Sequence, residues 1–124
     1  MSLAAWIGLL AGGAVGAPSR YLLDGYVHSR TGGDYPWGTF IINAAGSLVL
    51  GVLTGLALDH GLNPTAELIL GTGFCGAFTT FSTFTFDTVR LAEQGASNAA
   101  FRNIAANVIV GTFLAGIGLA VTLQ

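Results

Sequence analysis

Four long stretches of this chain contain no Asp, Glu, Lys or Arg: residues 3–19, 35–58, 68–86 and 103–124. A helix needs about 20 mostly apolar residues, range roughly 17 to 25, to cross a bilayer. All four stretches meet that length or nearly so, in a chain of only 124 residues. Most of the polypeptide is therefore expected to be membrane span, joined by short connections. Backbone N–H and C=O groups in hydrocarbon must pair internally, and no period-two alternation of a barrel strand is present, so the spans should be helices. The expected fold class is an all-α membrane protein, a single domain with four transmembrane helices over residues 3–26, 37–60, 65–94 and 97–123.

Composition narrows the function. Charged residues make up 8% of the chain, against about 25% in a soluble domain. The basic residues are Arg20, Arg30, Arg90 and Arg102, with no lysine. That excludes the basic footprint of a nucleic-acid binder and a lysine-bearing phosphate loop, and with it ATP-driven transport by this chain alone. His28 and His60 lie on different connections and form no ligand cluster. The one cysteine, Cys75, excludes an intrachain disulfide and a multi-cysteine metal site, and reads as a small packing residue. No enzyme motif is present. The first stretch has no basic residue ahead of it and carries a ladder of glycines, so it reads as a permanent helix rather than a signal peptide.

Punctuation and packing follow from glycine and proline. Gly32, Gly33 and Pro36 break the first connection, Pro64 stands at the start of the third helix, and Gln94-Gly95 ends it, with Ser97 available as a cap for the fourth. Gly8, Gly12 and Gly16 repeat every four residues, as do Gly51 and Gly55. Such spacing lets helix backbones approach closely, within a subunit or between subunits. Four helices of this length fill their own interior with side chains. A transport path would then lie at a subunit interface, which makes an oligomer necessary.

Polar residues inside the apolar stretches are the candidate functional groups. Asn43 sits early in the second helix, where an amide must either bond across helices or line a wet cavity. Asn103 and Asn107 are one turn apart on the fourth helix, with Gly111 following on the same face. Residues 73–86 hold two glycines, five phenylalanines and five hydroxyl side chains. Thr pairs beside glycine form helix poorly and compete for backbone bonds, so a break is expected near 76–80, where free carbonyls commonly hold a cation. Phe81 and Phe84, three apart, share a face, and ring edges beside hydroxyl donors suit a small hard anion. Arg20 and Asp24 at i, i+4, and Asp87 and Arg90 at i, i+3, can pair as surface ions.

The segments Gly13-Ala14-Val15-Gly16-Ala17-Pro18-Ser19-Arg20-Tyr21, Pro36-Trp37-Gly38-Thr39-Phe40-Ile41-Ile42-Asn43 and Gly73-Phe74-Cys75-Gly76-Ala77-Phe78-Thr79-Thr80-Phe81-Ser82-Thr83-Phe84 resemble the three signature motifs of the Fluc (CrcB) fluoride channels. The resemblance implies a passive, fluoride-selective channel, not an enzyme, in the plasma membrane. It implies an antiparallel dimer with two pores at the interface and a structural Na+ at its centre. Carried onto this chain, Phe81 and Phe84 would be the pore rings and Asn43 an amide donor, with Ser82 and Thr83 lining the path. Arg20 would sit at the vestibule, and Asn103 and Asn107 on a polar track of the fourth helix. The carbonyls of Gly76 and Thr79 would hold Na+.

Two rivals use the same length and hydropathy. A small multidrug-type proton-coupled transporter needs a carboxylate in the first span, and residues 3–19 have none. A non-transporting membrane subunit held by the glycine faces would carry no ion flux. All four arginines fall toward the side of the first and third connections, which the positive-inside rule places in the cytoplasm, with both termini outside. A dual-orientation homodimer should show little such bias, so a heterodimer with an oppositely oriented paralogue stands as the alternative.

Overall fold

The computed structural model describes residues 1–124 and is helical throughout, with no strand. Helix α1 is Leu3–Thr31 and α2 is Trp37–Asp59. Helix α3 covers residues 64–78 in three continuous pieces: an α-helical turn Pro64–Glu67, a π-helical stretch Leu68–Cys75 and a final turn Gly76–Phe78. After a non-helical link at 79–81 come α4, Ser82–Glu93, and α5, Ser97–Thr122. Helix α2, the run Pro64–Glu93 and helix α5 are each long and apolar enough to cross a membrane. Helix α1 has the length, but its glycines and the Arg20 and Asp24 pair dilute its apolar character. The protein is a multi-pass membrane protein.

Helix α1 runs five residues beyond the expected end at Tyr26. The polar residues that look like a loop instead extend the helix. The Ser29 hydroxyl donates to the Tyr26 carbonyl at 2.7 Å and the Thr31 hydroxyl to the Val27 carbonyl at 2.9 Å. Gly32 stops the helix at φ 62°, a left-handed conformation that glycine adopts at little cost. At the start of α3, Pro64 is the first helical residue, and Asn63 caps it by accepting from the Thr65 N–H at 2.8 Å. Ser97 is not a cap. It is the first residue of α5, the flanking position is Ala96, and no side chain caps that end.

Glycines set the two long seams, both inside the subunit. An added Cβ at Gly12 would stand 2.6 Å from the Ile69 carbonyl oxygen, and Gly16 faces the Phe74 carbonyl still more closely. These positions let α1 lie directly on the π-helical part of α3, whose Gly73 answers with 2.8 Å to the Leu9 carbonyl. The α2–α5 seam repeats the device, with Gly51 on the Ala115 carbonyl and Gly118 on the backbone of Leu48 and Val52. Lipid supplies no hydrophobic drive between helices, so this close approach supplies the packing. Few side chains are fully buried, among them Ile42 and Asn103, while Phe81, Phe101 and Phe113 stand exposed on the flanks.

The first and third connections meet at one end of the bundle. Arg90 donates to the Asp34 carbonyl at 2.9 Å, and the Arg102 guanidinium lies 5.5 Å from the centre of the Tyr35 ring.

Candidate functional site

Helical hydrogen bonding stops at residues 79–81, and the reason is visible in the bonds. Thr79 is extended, with φ −79° and ψ 163°. The Thr80 N–H, which in a continuous helix would donate to the Gly76 carbonyl, donates instead to Asn43 Oδ1 at 2.9 Å. Asn43 Nδ2 returns a bond to the Thr80 carbonyl, also 2.9 Å. One amide side chain of α2 thus pairs with both sides of one peptide residue, replacing the helical partners it has lost. Below it the Thr83 N–H donates to Thr80 Oγ1 at 3.1 Å, a bond from the link into the first turn of α4, whose flanking residue Phe81 offers no side-chain cap.

From Asn43 the bonds continue in one direction through the subunit. Asn43 Nδ2 donates to Asn107 Oδ1 at 3.3 Å, Asn107 Nδ2 to Asn103 Oδ1 at 3.1 Å, and Asn103 Nδ2 to Thr88 Oγ1 at 2.9 Å. The Thr88 hydroxyl ends the run on the Phe84 carbonyl at 2.8 Å. Each member both accepts and donates, so the bonds polarise one another in the same sense. The two asparagines of α5 differ in exposure. Asn103 is 0% exposed, enclosed between α4 and α5, whereas Asn107 reaches the open cavity described next.

That cavity, about 510 Å³, opens on the flank of the bundle beside the helix interruption. It brings together Asn43, Gly76, Thr79, Phe81, Phe84 and Asn107. The rings of Phe81 and Phe84 are 5.7 Å apart and tilted by 57°. Phe81 projects from the subunit with 78% of its surface exposed. Arg20 and Thr83 lie elsewhere, in a smaller recess of about 250 Å³ that touches the first at Thr80. Asp24, Thr39 and Thr83 in turn line a third recess, which holds Asp87 and Arg90 at the arginine-bearing end of the bundle. The three recesses form a line down one side of the molecule. Ser82 lies on the exposed face of α4 and lines none of them, and Asn103 is likewise outside the line.

Ion pairing separates the two charged couples. Arg90 pairs with Asp87 at 3.6 Å, and the Thr39 hydroxyl bonds Asp87 as well. Arg20 and Asp24 form no ion pair, although both line the same recess. The hydroxyls of Thr80 and Thr83 donate no bond inside the subunit, whereas the Thr79 hydroxyl donates to the Cys75 carbonyl. Thr80, Ser47 and Thr72 were not among the residues singled out from sequence, and all three line the cavity. Ser47 had a signal: it stands one helical turn beyond Asn43 on α2.

Fold and site define a multi-pass helical membrane protein whose large recess opens on its flank, toward lipid or a second subunit. Comparison with known proteins gives the class its family. The family described as "CrcB-like protein, Camphor Resistance (CrcB)" matches residues 7–119. A protein of Streptomyces avermitilis named fluoride-specific ion channel FluC 1 is 49% identical over 114 residues, 92% of each chain. One of the same name from Symbiobacterium thermophilum is 45% identical over 117 residues, covering 93% of this chain and 94% of the relative. A third, from Frankia casuarinae, is 42% identical over 121 residues, 93% of each. The chain belongs to the CrcB family, a family of ion channels rather than enzymes.

Proposed function

We propose that this protein is a passive, fluoride-selective channel of the plasma membrane, working as an antiparallel dimer with two pores at the subunit interface. The observation that carries the proposal is the flank cavity: it gathers Phe81, Phe84, Asn43 and Asn107 on a face that one subunit leaves open. In this reading a second subunit closes that cavity.

Fluoride is small and strongly hydrated, so its path must offer hydrogen-bond donors in place of water without a fixed charge that traps the ion. The line of recesses offers them in order. Arg20, which is not ion-paired although Asp24 lines the same recess, attracts the anion on its way from the end of the bundle to the cavity. The uncommitted hydroxyls of Thr83 and Thr80 follow. Asn43 then stands at the cavity with one N–H on the Thr80 carbonyl at 2.9 Å and the other on Asn107 at 3.3 Å. The longer bond is the weaker, and it is the one that can exchange Asn107 for fluoride. The positive edges of Phe81 and Phe84 bridge the dry stretch beyond. In the cell, hydrogen fluoride enters as a neutral acid and dissociates, and the membrane potential drives the anion out.

The residues also fit a structural Na+. With the Thr80 N–H diverted to Asn43 and the Thr83 N–H to Thr80 Oγ1, and with no other backbone donor reaching them, the carbonyls of Gly76 and Thr79 lack helical partners. Such oxygens suit a hard cation, and no cluster of three His, Cys, Asp or Glu offers another site. A Na+ held there would supply fixed positive charge between two facing subunits.

Fluoride efflux from liposomes containing only this chain tests the reading. Fluoride flux without matching chloride flux is expected, and Phe81→Ile or Asn43→Ala should lower it at least tenfold while the dimer persists on gel filtration. Unchanged flux in both variants overturns the ring-and-amide path. The arginines favour a second arrangement of the same pore: Arg90 and Arg102 both contact the first connection, so one end of the bundle carries the basic residues. If flux appears only after a second, oppositely oriented paralogue is added, the working unit is a heterodimer.

A further inference from the structure

On the side of α5 away from the Phe81 cavity lies a second large recess, a groove of about 630 Å³ between the N-terminal halves of α2 and α5. It shares no residue with the cavity, which takes Asn107 and Val108 from α5 while the groove takes Arg102, Ala105, Ala106 and Ile109. At 100° per residue these sets point to opposite sides of the α2–α5 contact. Seven of its eight lining residues are hydrophobic, and the eighth is Arg102.

Three observations specify an occupant. First, Arg102 is exposed, has no carboxylate within ion-pair distance and donates no hydrogen bond, its guanidinium resting 5.5 Å from the Tyr35 ring centre. Arg90, at the same end, is committed to Asp87 and the Asp34 carbonyl. Second, Tyr35 and Trp37 pack at 5.0 Å and Trp37 meets Phe40 edge-on at 6.2 Å, forming an aromatic cluster at the end of the spans, where such rings mark headgroup level. Third, Arg102 stands about 8 Å along α5 from its start, so its fork of donors sits at the top of a groove that continues toward the membrane interior past Ile109 and Val110.

We propose that this groove binds an anionic phospholipid, with the Arg102 guanidinium on the headgroup phosphate and an acyl chain along Phe40, Ile109 and Val110. A planar guanidinium matches phosphate with paired bonds, and the apolar wall below selects a lipid over free phosphate. A second copy of this chain would have to bury Arg102 unpaired unless it brought an acid to it, and of the span acids near that depth Asp87 is already paired with Arg90 while Asp24 lines recesses other than the groove.

Trp37 is one of two tryptophans in the chain and lines the groove, so it can report on its contents. The test uses the full chain carrying Trp6→Phe, in phosphatidylcholine bilayers with increasing fractions of brominated phosphatidylglycerol or brominated phosphatidylcholine. Trp37 fluorescence should be half-quenched at a roughly fivefold lower mole fraction of the anionic lipid, the preference expected of one basic residue at the surface. Arg102→Gln should abolish that preference and leave quenching by phosphatidylcholine intact, while Arg30→Gln, at an exposed site with no groove, should preserve it. Equal quenching by both lipids in the parent overturns the proposal, as does a preference that survives Arg102→Gln. Absence of quenching by either lipid also overturns it, because another protein surface then covers the groove.

Discussion

The seam between α2 and α5 and the junction between α3 and α4 belong to one small bundle, yet they are held in opposite ways. Along the seam, Gly51 rests on the Ala115 carbonyl and Gly118 on the Leu48 backbone, and the hydroxyls that lie there, Ser47 beside Gly111 and Thr122 beside Gly55, make no hydrogen bond across it. At the junction the backbone leaves the helix, and Asn43, Asn107, Asn103 and Thr88 take up or relay the polar groups released. Close apolar contact leaves nothing to be matched, whereas an unwound peptide at membrane depth must find a donor for every acceptor. The seam therefore fails by added volume and the junction by a lost hydrogen bond. Only the junction, with free carbonyls and uncommitted hydroxyls, has groups left over to meet an ion.

The largest effect is expected at the seam. Gly51→Leu places a side chain against the Ala115 backbone, which cannot swing aside as a side chain would. Overpacking costs about 1–3 kcal/mol when neighbours can shift, so the upper end or beyond is expected here. The variant should fail to give monodisperse protein in detergent. Gly116→Ala, at a glycine with nothing within 4 Å, is the matched control and should change thermal stability by no more than about 0.5 kcal/mol. A Gly51→Leu protein as stable as the control would break the picture of a backbone-to-backbone seam.

Asn43→Ala comes next. It strips the Thr80 N–H and C=O of their partner and removes the donor to Asn107. Stranding a buried polar group costs about 1–3 kcal/mol, and partial access to the cavity moderates the sum, so a loss of about 2–3 kcal/mol is expected in thermal unfolding. Asn43→Asp keeps the acceptor for Thr80 N–H and loses both donations, and should fall between parent and Ala. Equal stability of all three would mean that the junction holds itself without α2.

Much of this architecture was legible in the residues, and the parts that were not share a cause. Charge-free runs located the spans because hydrocarbon excludes charge whatever the neighbours do, and glycines four apart located the seams because only glycine admits a carbonyl so close. Asp87 and Arg90 pair as their spacing suggested, while Arg20 and Asp24, equally well spaced, do not. Helix spacing brings such side chains within reach and does not decide whether another partner is better. The end of α1 is not legible in composition, because Ser29 and Thr31 look like loop residues while their hydroxyls bond back to the helix. Asn103 and Asn107 were indistinguishable on a helical wheel. Their difference in burial arises from Thr88 on a separate helix, a tertiary fact that no local pattern carries.

The far end of the amide run gives a smaller and less intuitive pair of effects. Thr88→Val removes one hydroxyl, but it leaves the fully buried Asn103 Nδ2 with no acceptor. Asn103→Leu removes a whole amide, yet Thr88 still donates to Phe84 and Asn107 still donates to the Asn103 carbonyl, so nothing is stranded. The lighter substitution should cost more, about 2 kcal/mol against about 1 kcal/mol, because orphaning a buried group is worse than deleting a pair. The double variant should be no worse than Asn103→Leu alone. Additive losses in thermal unfolding would show that the two side chains act independently and that the run is not one network.

Ser82→Ala should have the smallest effect on stability and separates folding from conduction most cleanly. Ser82 opens α4 on its exposed face, makes no side-chain hydrogen bond and lines none of the recesses of its own subunit. Thermal unfolding should shift by no more than about 0.5 kcal/mol. If the pore forms between two subunits, the same exposed hydroxyl faces the partner's side of the path, and fluoride flux should drop a few-fold at unchanged dimer content. A loss of stability would place Ser82 within the hydrogen-bonded junction. A stable variant with unchanged flux would place it outside the path, and would confine the ion's donors to Thr80, Thr83, Asn43 and Arg20.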